Sequence, residues 1–486
     1  MLGLRYERLS TADVPALNPF FQARYGFTNQ ATLDGKDVFQ PRFAFNYRPL
    51  KSTTVRGGVG VFAGGVPLAF FGETYQQNGI STFNTTVQGV AVNPLANFEQ
   101  LPPAAIAGLG TSQSRLTEGT DSSTFFLARD FAIPRNLRFQ LAVDQRFDLP
   151  LLGNNWRFSA EIIHSEILEA IQFQDIRLQT IGTLPGLNVP RFGVVRTPLD
   201  TRIPRPTNRS DGVVAPQDIA ITNTSRGRST VVSFNVDKRF DFKRWGTLDM
   251  NIGYAYTDAR DVSPANDTDN LSDVFETGAY DNINNPSSAP SIQSIPHNLV
   301  HSFNYEKKFE NGVKFRFSMF GNYRAGRSVS FVLGNVGQAT AGFQTIQPGL
   351  SDRAQDRLVP YLPSGPNDPL VRYGAGASYQ ELENIINAFN LQRFQGGPLP
   401  RNSIRAGSTY QLDLNAQIEI PSPVRGRWIV DAGIRNFLNL LDSGAGQIRR
   451  YSIRETLYDA VFDPATNQYV ITNIDDCPPS APMAQI

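Results

Sequence analysis

The chain has 486 residues, 45 basic and 44 acidic, and its formal net charge of +1 argues against a general nucleic-acid binder. One cysteine, Cys477, excludes an intrachain disulfide framework and a cysteine-based zinc site. A hydrophobic content of 40% and a mean hydropathy of −0.28 would suit a soluble protein, and no run approaches the roughly 18–20 apolar residues of a spanning helix.

Alternation tells a different story along the chain. Leu2–Leu9 already alternates like a strand, with no signal peptide before it, so an outer-membrane reading expects the true start to lie upstream. Arg42–Arg48 puts Phe43, Phe45 and Tyr47 on one face, and Thr54–Ala63 does the same with Val55, Val59 and Val61. A Gly/Asn/Thr/Ser-rich stretch then runs from Gly64 to Pro134. In Arg135–Asp148, Leu137, Phe139, Leu141, Val143 and Phe147 point one way, while Arg138, Gln140, Asp144 and Arg146 point the other. Trp156–Ser165 completes that hairpin. After a second long segment come Thr230–Phe242 and Thr247–Thr257. Here Leu248, Met250, Ile252, Tyr254 and Tyr256 oppose Asp249 and Asn251. Asn298–Phe309 and Val313–Arg324 form another hairpin, followed by a loop of about eighty residues, long for a compact domain. In Ser408–Ile420, Tyr410, Leu412, Leu414, Ile418 and Ile420 oppose Gln411, Asp413, Asn415, Gln417 and Glu419; Arg427–Phe437 follows, and the rest reads as polar, without a closing strand.

A strand with one apolar and one charged face fits a wall between hydrocarbon and water. The fold class is therefore all-β, a transmembrane antiparallel β-barrel with eleven strands in this chain. Short and long connections alternate strictly, as expected of short periplasmic turns and long extracellular loops. A soluble half-exposed sheet explains one such strand well and eleven poorly. Because an open edge in lipid leaves backbone groups unpaired, eleven strands read as part of a larger barrel. The three tryptophans, Trp156, Trp245 and Trp428, each lie in or just after a short turn, as an interfacial girdle with Phe147, Phe240, Phe242 and Phe309. Ser378-Tyr379-Gln380-Glu381 is a capping box, and Leu382, Ile385, Ile386 and Phe389 follow at helical spacing. This helix is expected to pack on the extracellular loops or the barrel mouth.

Chemistry-bearing motifs are sparse, and no catalytic residue or cofactor site is expected. His164, His297 and His301 are the only histidines, and a four-residue separation on a strand does not share a zinc. The glycines of Gly57-Gly58-Val59-Gly60 have no phosphate-loop context, and suit bends or close approach of a plug. Asp258, Asp261, Asp267, Asp269 and Asp273 crowd one extracellular loop and are a weak Ca²⁺ candidate whose spacing matches no EF-hand, so a solvated acidic loop is favoured. Lumen-facing charges, Arg138, Asp144, Arg316, Arg324, Asp413 and Arg435, are mixed in sign, as a hydrated wall requires. Ligand recognition is expected in the long loops.

Several segments resemble the barrel of Oar-like TonB-dependent receptors. They are FQPRFAFNYRPLKSTTVRGGVGVFAGGVP (Phe39–Pro67), PRNLRFQLAVDQRFDLPLLGNNW, SIPHNLVHSFNYEKKF (Ser294–Phe309), and GGPLPRNSIRAGSTYQLDLNAQIEIP with WIVDAGIRNFLNLLD (Gly396–Asp442). The resemblance implies the C-terminal part of a 22-strand barrel in the outer membrane of a Gram-negative-type bacterium. Such receptors also carry a signal peptide, often a carboxypeptidase-regulatory-like β domain, and a plug, none of which this sequence shows. They close on a strand ending in an aromatic residue, whereas this chain ends in PSAPMAQI. The implied partners are outer-membrane lipid, a plug, the TonB complex, and an unidentified glycan, peptide or chelate. A passive porin-like or adhesive barrel, or a secreted soluble carbohydrate-binding β protein, are the alternatives.

Overall fold

The computed structural model describes residues 1–64, 68–81, 121, 123–194, 217–262, 278–334, 358–446, 454–463 and 465–474. Eleven strands form one antiparallel meander: β1 Leu2–Arg8, β2 Asp37–Leu50, β3 Thr53–Ala63, β4 Arg135–Leu149, β5 Gly153–Asp175, β6 Arg228–Asp241, β7 Thr247–Asp261, β8 His297–Lys308, β9 Lys314–Arg324, β10 Thr409–Pro421 and β11 Arg427–Ile434. Each pairs with its neighbours in sequence, and among the described residues β1 and β11 are the free edges. Five short turns alternate with five long connections, spanning 9–36, 64–134, 176–227, 262–296 and 325–408.

The register carries the two faces across the sheet. Val59, Phe139, His164, Thr230, Asp258 and their i±2 neighbours share one side, reaching Leu141–Ile162–Val232–Tyr256 across four strands. Ile252, His301, Gly321 and Leu412 continue it. Large apolar groups on this side stay exposed, including Leu4 at 75%, Phe45 at 41%, Phe139 at 44% and Val430 at 59%. Water penalises so broad an apolar surface, and hydrocarbon does not. Two glycines on it are covered by rings from the next strand: Phe45 lies over Gly57, and His301 lies over Gly321 to reach the Tyr410 hydroxyl at 2.8 Å. Gly57 thus serves ring packing rather than phosphate binding. His297 bonds Tyr254 and His164 bonds Thr230, each at 2.8 Å, so the three histidines serve separate partners.

Sequence boundaries shift at several strands: β2, expected over Arg42–Arg48, begins at Asp37, and β7, expected over Thr247–Thr257, runs on to Asp261. Strand β5, expected over Trp156–Ser165, runs 23 residues, because its outer half gains backbone partners from a loop strand, Asp218–Thr224. Strand β11 stops at Ile434 rather than Phe437. Asn436 takes a left-handed conformation (φ 53°), donates its amide to Asp413 and opens a short helix at Phe437–Leu441. Residues 454–474 were expected to be polar. Instead Arg454–Asp463 and Gln468–Ile474 form a hairpin that pairs with Ser328–Gly334 and Val371–Tyr373, off the main sheet.

That hairpin builds the largest core. Leu457, Tyr458, Phe462, Tyr469 and Ile471 pack with Phe331, Leu333, Leu362, Leu382, Ile386 and Leu399. The predicted helix is present at Tyr379–Ala388, with its capping box formed: the Ser378 amide donates to Glu381 at 2.9 Å, and the Glu381 amide donates to the Ser378 hydroxyl at 3.4 Å. As expected, it packs on the long connections, burying Leu382 and Ile386 in the core that they form. The long connections are therefore a packed canopy above one edge of the sheet.

Replacing Ile252 by Arg should cost about 2–4 kcal/mol in lipid vesicles if the side chain sits near the bilayer midplane, with little cost for Asn251→Arg on the opposite face. Denaturant unfolding of both variants in vesicles checks the pair, and equal costs would contradict the assignment of faces.

Candidate functional site

The polar face holds every lumen candidate on a strand. Arg138 and Asp144 lie on β4, Arg316 and Arg324 on β9 and Asp413 on β10, all at register positions opposite to the apolar side chains; Arg435 lies one residue beyond β11. They form local pairs rather than one constellation. Asp144 accepts from Arg56 at 2.8 Å and from Ser159 at 2.8 Å. Arg316 donates to Glu306 at 3.0 Å and Gln417 at 2.7 Å, and stands 3.7 Å from Glu419, which also pairs with Lys314 and Arg427. Arg138 bonds Ser165 at 3.3 Å and, with Arg42, lies over the Phe62 ring. A depression of about 460 Å³ is lined here by Arg56, Asp144, Ser159, Glu161, Asn235 and Asn251. Such a surface exchanges hydration for internal pairing and resembles a wetted wall more than a reaction centre.

At the short turns the aromatics cluster. Phe147 stacks on Trp156, which meets Phe240 edge-on, and Phe240 stacks on Phe242. Lys238 lies on the apolar face, yet is only 7% exposed. Its stem runs along Trp156 and Phe240 and its ammonium reaches the Asn154 carbonyl at the turn, so the charge leaves the apolar surface. Trp245 and Trp428 are 60% and 66% exposed at the same edge.

Two of the five calcium candidates are among the described residues. Asp267, Asp269 and Asp273 lie outside the described residues. Asp258 and Asp261, three apart on β7, project to opposite faces, and Asp261 is held by Arg401 at 3.3 Å. Arg401 also donates to carbonyls of Asp261 and Ser287, while Asn402 donates to Pro290, so this contact fastens the canopy to the rim of the sheet.

A second polar centre was invisible in the sequence. Arg24, at the end of the helix Pro19–Tyr25, chelates Asp121 through two guanidinium nitrogens at 3.0 and 2.6 Å and reaches Asp218 at 3.1 Å. Arg177 bridges the same carboxylates at 3.1 and 2.7 Å. Tyr25 donates to Asp218 at 2.7 Å, and Asn18 donates to Asp121 at 3.0 Å while capping the helix. These ionic side chains are 0–2% exposed. The lattice ties together the first three long connections, whose members are up to 194 residues apart. No local pattern marks it; the weak available signal is charge in segments otherwise built for turns.

Its protonation is divided. Burial opposes the Asp121 charge, but the hydrogen bond from Arg24 and the charges of Arg177 and Arg24 overcome this and hold its carboxyl below the usual range. Next to the lattice, Asp175 accepts from the Arg177 and Asp218 amides. Burial first, and the Asp218 charge second, push its carboxyl up to about 7. Burial, with Asp218 adding to it, likewise raises the Tyr25 hydroxyl, which stays a donor. The signs oppose each other. Asp121, depressed, stabilises above its unfolded pKa near 4, and that stability is lost as pH falls further; Asp175, raised, favours folding below about 4, and its contribution is lost as pH climbs towards 7.

Resistance of the canopy to proteolysis should therefore peak at mildly acid pH. Asp175→Asn, which retains the acceptor oxygen, should remove the decline towards neutral pH and leave the acid decline. Arg177→Ala should destabilise the canopy by about 3–5 kcal/mol, because two buried carboxylates lose a partner. Limited proteolysis across pH reads all three, and an unchanged profile in Asp175→Asn would contradict the assignment.

The profile of the outer membrane beta barrel domain family matches residues 5–439. Among curated proteins none matches the chain. Among solved structures, the outer membrane transporter YddB from Escherichia coli is similar over 83% of this chain, at 10% identity and a TM-score of 0.43. The chain spans 37% of that transporter's length.

Proposed function

The chain belongs to the outer membrane β-barrel domain family and is an outer-membrane protein, and we propose that it forms part of the barrel of a TonB-dependent receptor that takes up a scarce glycan, peptide or chelate. The observation that carries this reading is the canopy. Five long connections and the hairpin at 454–474 pack cores of their own, beyond what joining one strand to the next requires. A rigid platform carrying variable loops is how many folds build recognition. The wall beneath it is hydrated and internally paired, suited to passage or to contact with a plug. The segments quoted above that resemble Oar-like receptors support the same reading.

In this proposal, β1 and β11 meet further strands of the intact receptor, because their outer backbone groups would otherwise cost several kcal/mol each in hydrocarbon. The chain binds and admits ligand; it breaks no bonds. The plug and the TonB-contacting segment belong to the intact receptor, as do any signal peptide and carboxypeptidase-regulatory-like domain.

The test is genetic and physical together. A host lacking this gene is compared with one lacking the TonB complex across panels of glycans, peptides and iron chelates. Energised uptake predicts that both strains lose the same substrate. Uptake that needs this gene and survives loss of the complex would replace the proposal with a passive porin-like barrel. Binding to cells without uptake in either strain would replace it with an adhesin.

A further inference from the structure

The turn between β6 and β7 carries an arrangement that the transport reading leaves unused. Residues 243–245 form a single 3-10 turn, and Trp245 projects from it with 60% of its surface exposed. The turn is fixed against β8. The Tyr305 hydroxyl donates to the Trp245 carbonyl. Gly246, at φ 102°, sits so close to the Glu306 carbonyl that any Cβ would collide with it. Around the indole stand two cations. The Lys307 ammonium is 5.0 Å from the Trp245 ring and 4.8 Å from Phe309, and the Arg244 guanidinium is 5.3 Å from the same indole. Lys243 precedes them on the exposed turn.

Lys308, Lys314, Arg316 and Arg427 have carboxylate partners, and Lys238 has the Asn154 carbonyl. Among the described residues, the side chains of Lys243, Arg244 and Lys307 have no ion pair or hydrogen bond. Lack of a partner is shared by Arg48, Arg146, Arg157 and Arg324 on the sheet; what distinguishes Arg244 and Lys307 is that they are seated on rings as well. The nearby acids are engaged elsewhere: Asp241 accepts the Lys243 amide, and Glu306 takes Arg316 and Lys308. Two cations seated on an exposed indole at the edge of an apolar wall stand where hydration is falling away. An anion located at that depth, and attached to acyl chains that cover Phe309 and Trp245, complements both features.

We propose that Arg244, Trp245 and Lys307, with Lys243 at the rim, bind the phosphate of an anionic phospholipid in the leaflet facing the short turns. The occupant is a lipid rather than free phosphate, because the cations are seated on rings that themselves need an apolar cover. This inference rests on the membrane reading of the sheet and deepens it by naming one headgroup site.

Native mass spectrometry of the full chain, released from nanodiscs of mixed phosphatidylglycerol and phosphatidylcholine, tests it. The wild type should retain phosphatidylglycerol with about a thirtyfold preference, as two basic residues near a surface supply. Arg244→Gln with Lys307→Gln should abolish the preference, and Lys308→Gln, whose cation is paired on the polar face, should keep it. Inorganic phosphate at millimolar concentration should fail to displace the lipid; ready displacement would overturn the lipid assignment. Absence of any preference in the wild type, while the chain still inserts into phosphatidylcholine alone, would overturn the site and leave the barrel reading intact. Failure to insert into either lipid would instead overturn the membrane reading on which the site depends.

Discussion

The backbone of a chain in hydrocarbon has no water to bond, and the rest of this structure follows from that. Each strand must spend its amides and carbonyls on its neighbours, so the main sheet is a plain meander in which sequence neighbours are spatial neighbours. With the backbone committed, side chains divide by parity. One side meets lipid with Leu, Phe, Val and Ile; the other meets water with Arg, Asp, Asn and Gln. Deviations are handled locally. Lys238 bends its charge to the turn, and Phe45 and His301 fill the space left by Gly57 and Gly321.

Above the sheet the constraint reverses. The long connections can reach water, and yet they spend it on burial. Two arginines and two aspartates form a lattice with almost no exposure, drawn from three connections. Such a lattice adds little net stability over an apolar core of the same volume, but breaking it on one side is costly. Its effect is to bring particular segments together in one arrangement. With Arg401 at the rim of β7 and the aromatic core around Tyr458 and Tyr469, it gives the loops a fixed shape.

The two ends of the sheet thus answer to different solvents. The short turns carry rings and cations matched to a headgroup layer. The long connections carry buried charge and packed cores matched to water. Between them, charges of the polar face pair with one another without concentrating one sign at the middle of the sheet.

Strand number, faces, turn alternation and the tryptophan edge were legible in the residues themselves, because a period of two is written locally: Leu248 to Tyr256 declares its face without reference to any other strand. The capping box of Ser378 and Glu381 was legible for the same reason. What tertiary structure alone decided was everything joined over long separations. Residues 454–474 read as polar because their Tyr, Leu and Phe are diluted by charge, and they became core only by pairing with strands about 90 to 130 residues earlier. Arg24 and Asp218 stand 194 positions apart, and no spacing rule connects them. At the start of the acidic loop, Arg401 holds Asp261 while the pleat sends Asp258 the other way, which spacing in the sequence does not announce. Local periodicity fixes what a strand shows to lipid, whereas the partner of a buried charge is set by where the whole chain returns.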